Sequence, residues 1–443
     1  MTRSPNLERV STRLQRIAQL AREDPQRAFL SLAHHIDMDL LREAYRRTRK
    51  DGAPGVDGQT AAAYQENLEE NLQSLLARFK SGRYQAPPVR RAHIPKGSDP
   101  SKKRPIGIPT FEDKVLQRAV AMVLEAVYEQ DFVDCSYGFR PGRSAHQAIR
   151  NLWQGFMSMG GGWVLEADIQ SFYDNLDHSQ LRSFLDQRVR DGVMRRALDK
   201  WLKAGVMEGG NLSHPTTGTP QGGVVSPLLS NIYLHEVLDT WFEAEVKPRL
   251  HGEAFLIRFA DDFVLVFQLE SDARRVLEVL PKRFGKYGLS LHPDKTRLVR
   301  FQRPDRKEGQ ERTQPPEEPR NFDFLGFTHF WEKSRRGTWM VKRKTASDRI
   351  TRFLRRLNQW CQDNRHAPIG WQQTQLLSKL RGHGGYYGIT GNSKSLSSVH
   401  HWVLRIWRKW LSRRTRDSNL TWERFNLLLK RYPLPSLRIC HAA

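Results

Sequence analysis

Apolar residues along the first fifty positions recur at helical spacing. Leu14, Ile17 and Leu20, then Leu40, Leu41 and Tyr45, stand between basic residues, so residues 8–50 are predicted to be helical. The stretch 51–58, DGAPGVDG, breaks helix repeatedly and is predicted to be loop, with helix resuming across 60–80. From His93 to Thr110, two short strands flank a turn holding Gly97, Ser98, Asp99, Pro100 and Ser101, followed by Lys102, Lys103 and Arg104. Gly160, Gly161 and Gly162 precede WVLEADI, which reads as a buried strand. LIRFADDFVLVF (256–267) is another apolar run, with an acidic pair in its middle. Residues 303–320 hold almost no apolar side chain and read as a flexible insertion.

Composition sharpens this picture. A chain of 443 residues exceeds what one compact core usually organises, so two or three subdomains are expected. Lys and Arg number 72 against 48 Asp and Glu, a net charge of +24, which points to a polyanionic partner such as nucleic acid. Residues 331–443 hold 24 of the basic residues and five of the acidic ones, a surplus of 19. Tryptophans at 360, 371, 402, 407, 410 and 422 are interleaved there, a composition suited to a helical nucleic-acid-binding region with some of those rings in its core. No apolar run reaches about 18 residues and the N-terminus lacks a secretory core, so the chain is expected to be soluble and cytoplasmic, with no membrane partner. Cys135, Cys361 and Cys440 lie too far apart in sequence for a disulfide framework or a zinc site.

The carboxylates carry the candidate chemistry. Asp168 ends a strand, while Asp261 and Asp262 sit inside an apolar run, at the expected bend of a hairpin. Burying unpaired carboxylates costs several kcal/mol, so a bound metal is the natural compensation. Three carboxylates at the ends of neighbouring strands suit nucleotidyl transfer, where divalent ions stabilise the attacking and the leaving oxygen. Adjacent aspartates on a strand face opposite ways; Asp261 is the expected main ligand, with Asp262 in support.

These residues also carry a family resemblance. ADIQSFYDNLDH, TPQGGVVSPLLSNIYLHEVLD and RFADDFVLVF resemble successive palm motifs of reverse transcriptases. KKRPIGIPTFEDKVLQRAV and YGFRPGRSAHQAI resemble finger motifs of the group II intron branch, and GLSLHPDKTRLV and FDFLGFTHF its later palm motifs. RGHGGYYGITGNSKSLSSVHHWVLRIWRKWL and LTWERFNLLLKRYPLP resemble that branch's thumb or maturase domain. The match runs in order from about residue 40 to 440.

The resemblance implies an α+β right-hand fold. An N-terminal helical extension (1–40) precedes fingers (41–155), an antiparallel-sheet palm (156–340) and an all-α basic thumb or maturase domain (341–443). It implies an RNA-directed DNA polymerase using two Mg2+ ions, for which Mn2+ could substitute, held by Asp168, Asp261 and Asp262. Its partners would be dNTPs, an RNA template, a DNA primer and a structured intron RNA. Arg104 matches the finger arginine on the triphosphate, with Lys96 a companion; a planar guanidinium suits bidentate phosphate contact. Tyr173 matches the aromatic gate under the sugar, with Phe172 as the alternative. Gln221 matches a nucleotide contact, and Gly222 would let the backbone approach the new base pair. Lys295 is either a proton donor to pyrophosphate or half of a structural salt bridge. Arg381, Arg405, Lys409 and Arg413 are the expected nucleic-acid contacts of the thumb. The acidic motif reads Phe-Ala-Asp-Asp where many relatives begin with Tyr, and no His/Asn endonuclease segment follows PLPSLRICHAA, so DNA cleavage is not expected. A maturase without polymerase activity, and a domesticated enzyme of repair or phage defence, are the rival readings.

Overall fold

The computed structural model describes residues 5–95, 103–213, 217–219, 222–304, 321–414 and 419–441. The chain forms two compact units, Met1–Ala148 with Leu165–Arg297, and Ile149–Val164 with Leu298–Ala443. The expected helix over 8–50 is two helices, α1 (Pro5–Glu23) and α2 (Met38–Arg47). Asp24 precedes Pro25, which disfavours helical backbone, and the Asp24 carboxylate accepts from the Gln26 N–H at 3.0 Å to open a turn. The chain then runs extended, where Phe29 and Val189 form an isolated bridge. Asp37 restarts helix by capping the Leu40 N–H. The helix over 60–80 is likewise split into α3 (Ala61–Glu66) and α4 (Leu68–Lys80) at Asn67, whose backbone leaves the helical region.

Two strands follow as expected, β1 (Val89–Pro95) and β2 (Lys103–Ile108), antiparallel with Ile94 opposite Arg104. The turn between them, with Lys96, lies outside the described residues. Thr110 caps α5 (Phe111–Tyr128), whose buried residues lie all round the helix, including Asp113 and Gln117. Such a helix is buried rather than amphipathic. Next come α6 (Ala145–Met159), β3 (Gly161–Asp168), α7 (Phe172–Asn175), α8 (His178–Arg188) and α9 (Gly192–Leu202). Two short strands, β4 (Val206–Glu208) and β5 (Asn211–Ser213), extend the first sheet to the order β2-β1-β4-β5. Then α10 (Ser226–Leu234) carries Pro227 in its first turn, where a missing N–H costs nothing. The hairpin of β6 (Ala254–Phe259) and β7 (Asp262–Phe267) follows, with β7 next to β3, and α11 (Glu270–Gly285) closes this unit.

The second unit holds most of α6, the start of β3 and β8 (Arg297–Gln302) beyond its first residue, then β9 (Phe322–Phe324), β10 (Phe327–Lys333) and β11 (Trp339–Thr345) as an antiparallel sheet. Phe156, Phe301 and Phe322 pack ring to ring in its core. Four helices complete it: α12 (Ser347–Asp363), α13 (Ile369–Tyr387), α14 (Ser393–Leu411) and α15 (Trp422–Arg431). Their core takes Trp407 and Trp410, while Trp371, Trp402 and Trp422 stay exposed. Most of the segment expected to be an insertion, 305–320, lies outside the described residues. The mixed α+β class with antiparallel sheets and a helical C-terminal region is the expected one. Among the described residues, no helix is long and apolar enough to cross a membrane.

Candidate active site

The apolar alternation of β6 and β7 ends at the pair Phe259–Asp262, leaving Ala260 and Asp261 as a two-residue turn. Ala260 sits at φ 58°, a left-handed conformation that costs an L-residue roughly 1–2 kcal/mol, so the surroundings must impose it. Arg258 is the chief cause. Its side chain is fully buried, and all five of its N–H donors have acceptors. Nε and Nη2 grip Asp239 at 2.7 and 2.5 Å, Nη2 also reaches Ser136 Oγ at 2.8 Å, and Nη1 donates to Asn231 Oδ1 and to the Ala260 carbonyl, both at 3.0 Å. Burial opposes its charge, but Asp239 holds the guanidinium above its ordinary pKa. From the other side Gly138 packs so closely that a Cβ there would lie 2.2 Å from the Ala260 nitrogen. The turn is therefore fixed by buried contacts below it.

Asp168 reaches the same place from β3. Its carbonyl accepts from His292 N–H at 2.8 Å, and Gln170 N–H donates to Ser290 at 2.8 Å, so the strand end is tied to the 290–292 segment. Ser171, at φ 47°, then turns the chain into α7. A cleft of about 430 Å3 results, lined by Asp168, Asp261, Arg104, Tyr173, His292 and Lys295 among others. Lys295 Nζ lies 2.5 Å from Asp168 Oδ2. Burial, and then the charge of Asp168, push the Asp261 carboxyl above its ordinary pKa, while Arg104 and Arg258 pull the other way. Two hard oxygen donors that repel one another fit a divalent cation such as magnesium, which would relieve that repulsion. Three carboxylates line the cleft, Asp168, Asp261 and Asp174; Asp262 is exposed at the first position of β7 and is not among the lining residues. Among the described residues no group of three or more His, Cys, Asp or Glu is gathered as a metal site.

The remaining candidates fall as follows. Phe172 is buried and stacks edge-on with Tyr233, whereas Tyr173 is half-buried, bonded to Ser230 and turned toward Asp261. Burial, and then the Asp261 charge, raise the Tyr173 phenol. Gly222 has φ 120°, and a Cβ there would meet the Gly107 carbonyl at 2.5 Å, so its close approach is to β2. Gln221 lies outside the described residues, as does Lys96. Arg381, Arg405, Lys409 and Arg413 belong to the second unit and are all exposed. Arg405 and Lys409 share a face of α14, but the helix ends at Leu411, so Arg413 lies in the turn beyond and does not continue that face.

Sequence reasoning missed two supports of the site. An arginine within the apolar run 256–267 was itself the signal for Arg258. The other is a buried polar network on α5, where Gln117 Nε2 donates to Asp113 Oδ2 at 3.0 Å and Gln117 Oε1 accepts from Val224 N–H at 2.7 Å. Asp113 also accepts from Trp201 Nε1 at 2.7 Å and from the Tyr84 hydroxyl. Two polar residues four apart on an apolar helix are the only trace of it in the sequence.

Residues 94–329 match the family Reverse transcriptase (RNA-dependent DNA polymerase), and residues 350–427 match Group II intron, maturase-specific domain. The chain is similar to Protein YkfC of Escherichia coli (strain K12), 36% identical over 329 residues, covering 65% of this chain and 84% of that protein. It is also similar to Group II intron-encoded protein LtrA of Lactococcus lactis subsp. cremoris, 38% identical over 242 residues, 54% of this chain and 40% of LtrA. A third relative is the Uncharacterized 91 kDa protein in cob intron of Schizosaccharomyces pombe, 33% identical over 208 residues, 47% of this chain and 25% of that one. The chain thus spans most of YkfC and less than half of the other two.

Proposed function

The chain belongs to the reverse transcriptases, and from that membership we propose that it extends a DNA primer along an RNA template at the Asp168–Asp261 cleft and also binds structured intron RNA. The observation that carries the reading is one cleft holding Asp168 and Asp261 with Arg104, Lys295 and Tyr173 around them. The two halves of the chain then divide the work. Fingers (41–155) and palm (156–340) handle the nucleotide and the primer end, and the basic helices of 341–443 hold RNA.

Each side chain in the cleft has a task set by its chemistry. Asp168 and Asp261 would hold magnesium, with Asp262 in support and manganese a substitute. When bound, the metal supplies positive charge to both the attacking 3′-hydroxyl and the leaving pyrophosphate. Arg104 takes the triphosphate through its planar fork of donors. Lys295 lines the same cleft as Arg104 and would donate a proton to the departing pyrophosphate, while its bond to Asp168 orients it. Tyr173 closes the space beside the sugar, and by the resemblance Gly222, Gln221 and Lys96 also serve the nucleotide.

Asp168→Ala and Asp261→Ala are each expected to abolish dNTP incorporation in primer extension with magnesium. Both variants should still bind RNA in a fluorescence-anisotropy titration, because the basic helices are untouched. Extension at the wild-type rate by the Asp261 variant would sink the assignment.

A further inference from the structure

The segment Tyr137–Arg140 packs against the turn that carries Asp261, and it holds one residue the catalytic reading leaves unexplained. Phe139 is 58% exposed and sits at φ 57°. Isolated exposed apolar residues are ordinary. A phenylalanine held in left-handed backbone is not, because a bulky L-residue adopts that conformation only where its neighbours leave no choice.

Its neighbours are all fixed. Tyr137 N–H donates to the Arg258 carbonyl at 2.9 Å, which ties the segment to β6. The Gly138 carbonyl accepts from Asn231 Nδ2 at 2.7 Å, and the Gly138 Cα is pressed onto Ala260. The buried side chain of Arg140 pairs with Glu129 at 3.1 Å and donates to the Val133 and Ser136 carbonyls at 2.7 and 2.8 Å. These contacts hold the backbone on either side of Phe139 and leave its ring in solvent, 6.4 Å from the ring of Phe259, two residues before Asp261.

We propose that Phe139, with Phe259 beside it, is a contact platform for the sugar and base edge of the primer strand's 3′-terminal nucleotides. The proposal rests on the polymerase reading above. A primer 3′-hydroxyl must come to Asp261 to react, so the nucleotide that carries it lies over this turn. An aromatic face serves any sequence there, since every nucleotide offers a sugar and a π-face. The backbone strain is then part of the site, because relaxing it would turn the ring away.

Phe139→Gly separates the ring from the fold, since glycine adopts the same backbone without strain. With the full chain and a labelled DNA primer on an RNA template, the dissociation constant without dNTP should rise about tenfold. The thermal midpoint should stay level or rise. In steady state the loss should appear in KM for the duplex more than in kcat, and Phe139→Tyr should restore it. Affinity within twofold of wild type for Phe139→Gly, or a loss that Phe139→Tyr fails to restore, overturns the proposal. Asp261→Ala run in parallel should bind the duplex normally and extend nothing. A wild-type protein that extends no primer would refute the polymerase reading, and the binding titration would still decide the role of Phe139.

Discussion

Phe172 and Tyr173 are adjacent aromatics with opposite surroundings. Both line the cleft, but Phe172 is buried against Tyr233, while Tyr173 is half-buried and feels the charge of Asp261. Tyr173→Ala is therefore expected to raise rNTP incorporation relative to dNTP, because losing the ring opens room for a 2′-hydroxyl. Phe172→Ala should instead cost about 3 kcal/mol of stability and leave that ratio alone. Competitive incorporation assays and urea denaturation of both variants check this; an unchanged ratio for Tyr173→Ala would place the gate elsewhere. The sequence offered both residues without choosing, because neighbours on a short helix diverge in direction and only the packing partner decides which is core. The candidate aspartates were legible for a different reason, since charge inside the apolar run 256–267 contradicts its own pattern. The same contradiction stands at Arg258 and passed unread, although that side chain fixes the turn from beneath.

At the scale of elements, α5 is the clearest case of a tertiary role hidden from sequence. Its Asp113 and Gln117 form a buried chain of hydrogen bonds from Tyr84 and Trp201 to the Val224 and Val225 N–H groups, in the loop that follows Gly222. Burial raises the Asp113 carboxyl from 3.8 to about 6, against the pull of its three donors, Tyr84, Trp201 and Gln117; Glu112 adds to the rise. A carboxyl raised in the folded state stabilises that state fully only below its unfolded value, and this contribution is lost as pH climbs through about 6. The stability of wild type relative to Asp113→Asn should therefore fall by about 3 kcal/mol between pH 3 and pH 7, a shift of roughly two units at 1.4 kcal/mol each. Urea titrations of both proteins across that range give the difference directly, and a pH-independent difference would refute the assignment. Helix boundaries were misread where single residues decide them. The periodicity through 8–50 and 60–80 is genuine, but Asp24 before Pro25 and the non-helical Asn67 interrupt it locally. Strands β3, β6 and β7 were legible because continuous apolar runs of that length leave few alternatives.

For the whole molecule, the governing feature is where the charge lies. The surplus of 19 positive charges in residues 331–443 falls on the second unit, whose helices bury Trp407 and Trp410 and leave basic side chains outside. That partition was legible in composition; which residues share a face was not, since Arg413 follows the end of α14. Truncating the chain near residue 341 would be a poor test of it. The cut would remove β11, which pairs with β10 over seven residues and whose Val341 carbonyl accepts from Trp153 Nε1, so the unit's own core would be opened. Charge reversal avoids this. Arg405 and Lys409 are exposed and lie four apart on α14, with Arg405 over the exposed Trp402 ring at 5.1 Å and Lys409 beside Trp410 at 5.0 Å. Arg413, in the turn beyond, also lies over Trp410, at 5.2 Å. Arg405→Glu, Lys409→Glu and Arg413→Glu together should leave the thermal midpoint nearly unchanged, because none of the three heads is buried. Each phosphate that is no longer neutralised should lower the slope of log K against log salt by about 0.7–0.9, so the triple variant should drop by roughly two units of slope if most of the three reach phosphate. RNA and DNA–RNA duplex should weaken together, because phosphate contacts carry no sequence information. Anisotropy titrations from low to moderate salt provide both quantities; a wild-type slope with wild-type affinity would mean that this face is only solvated and that the RNA lies on another.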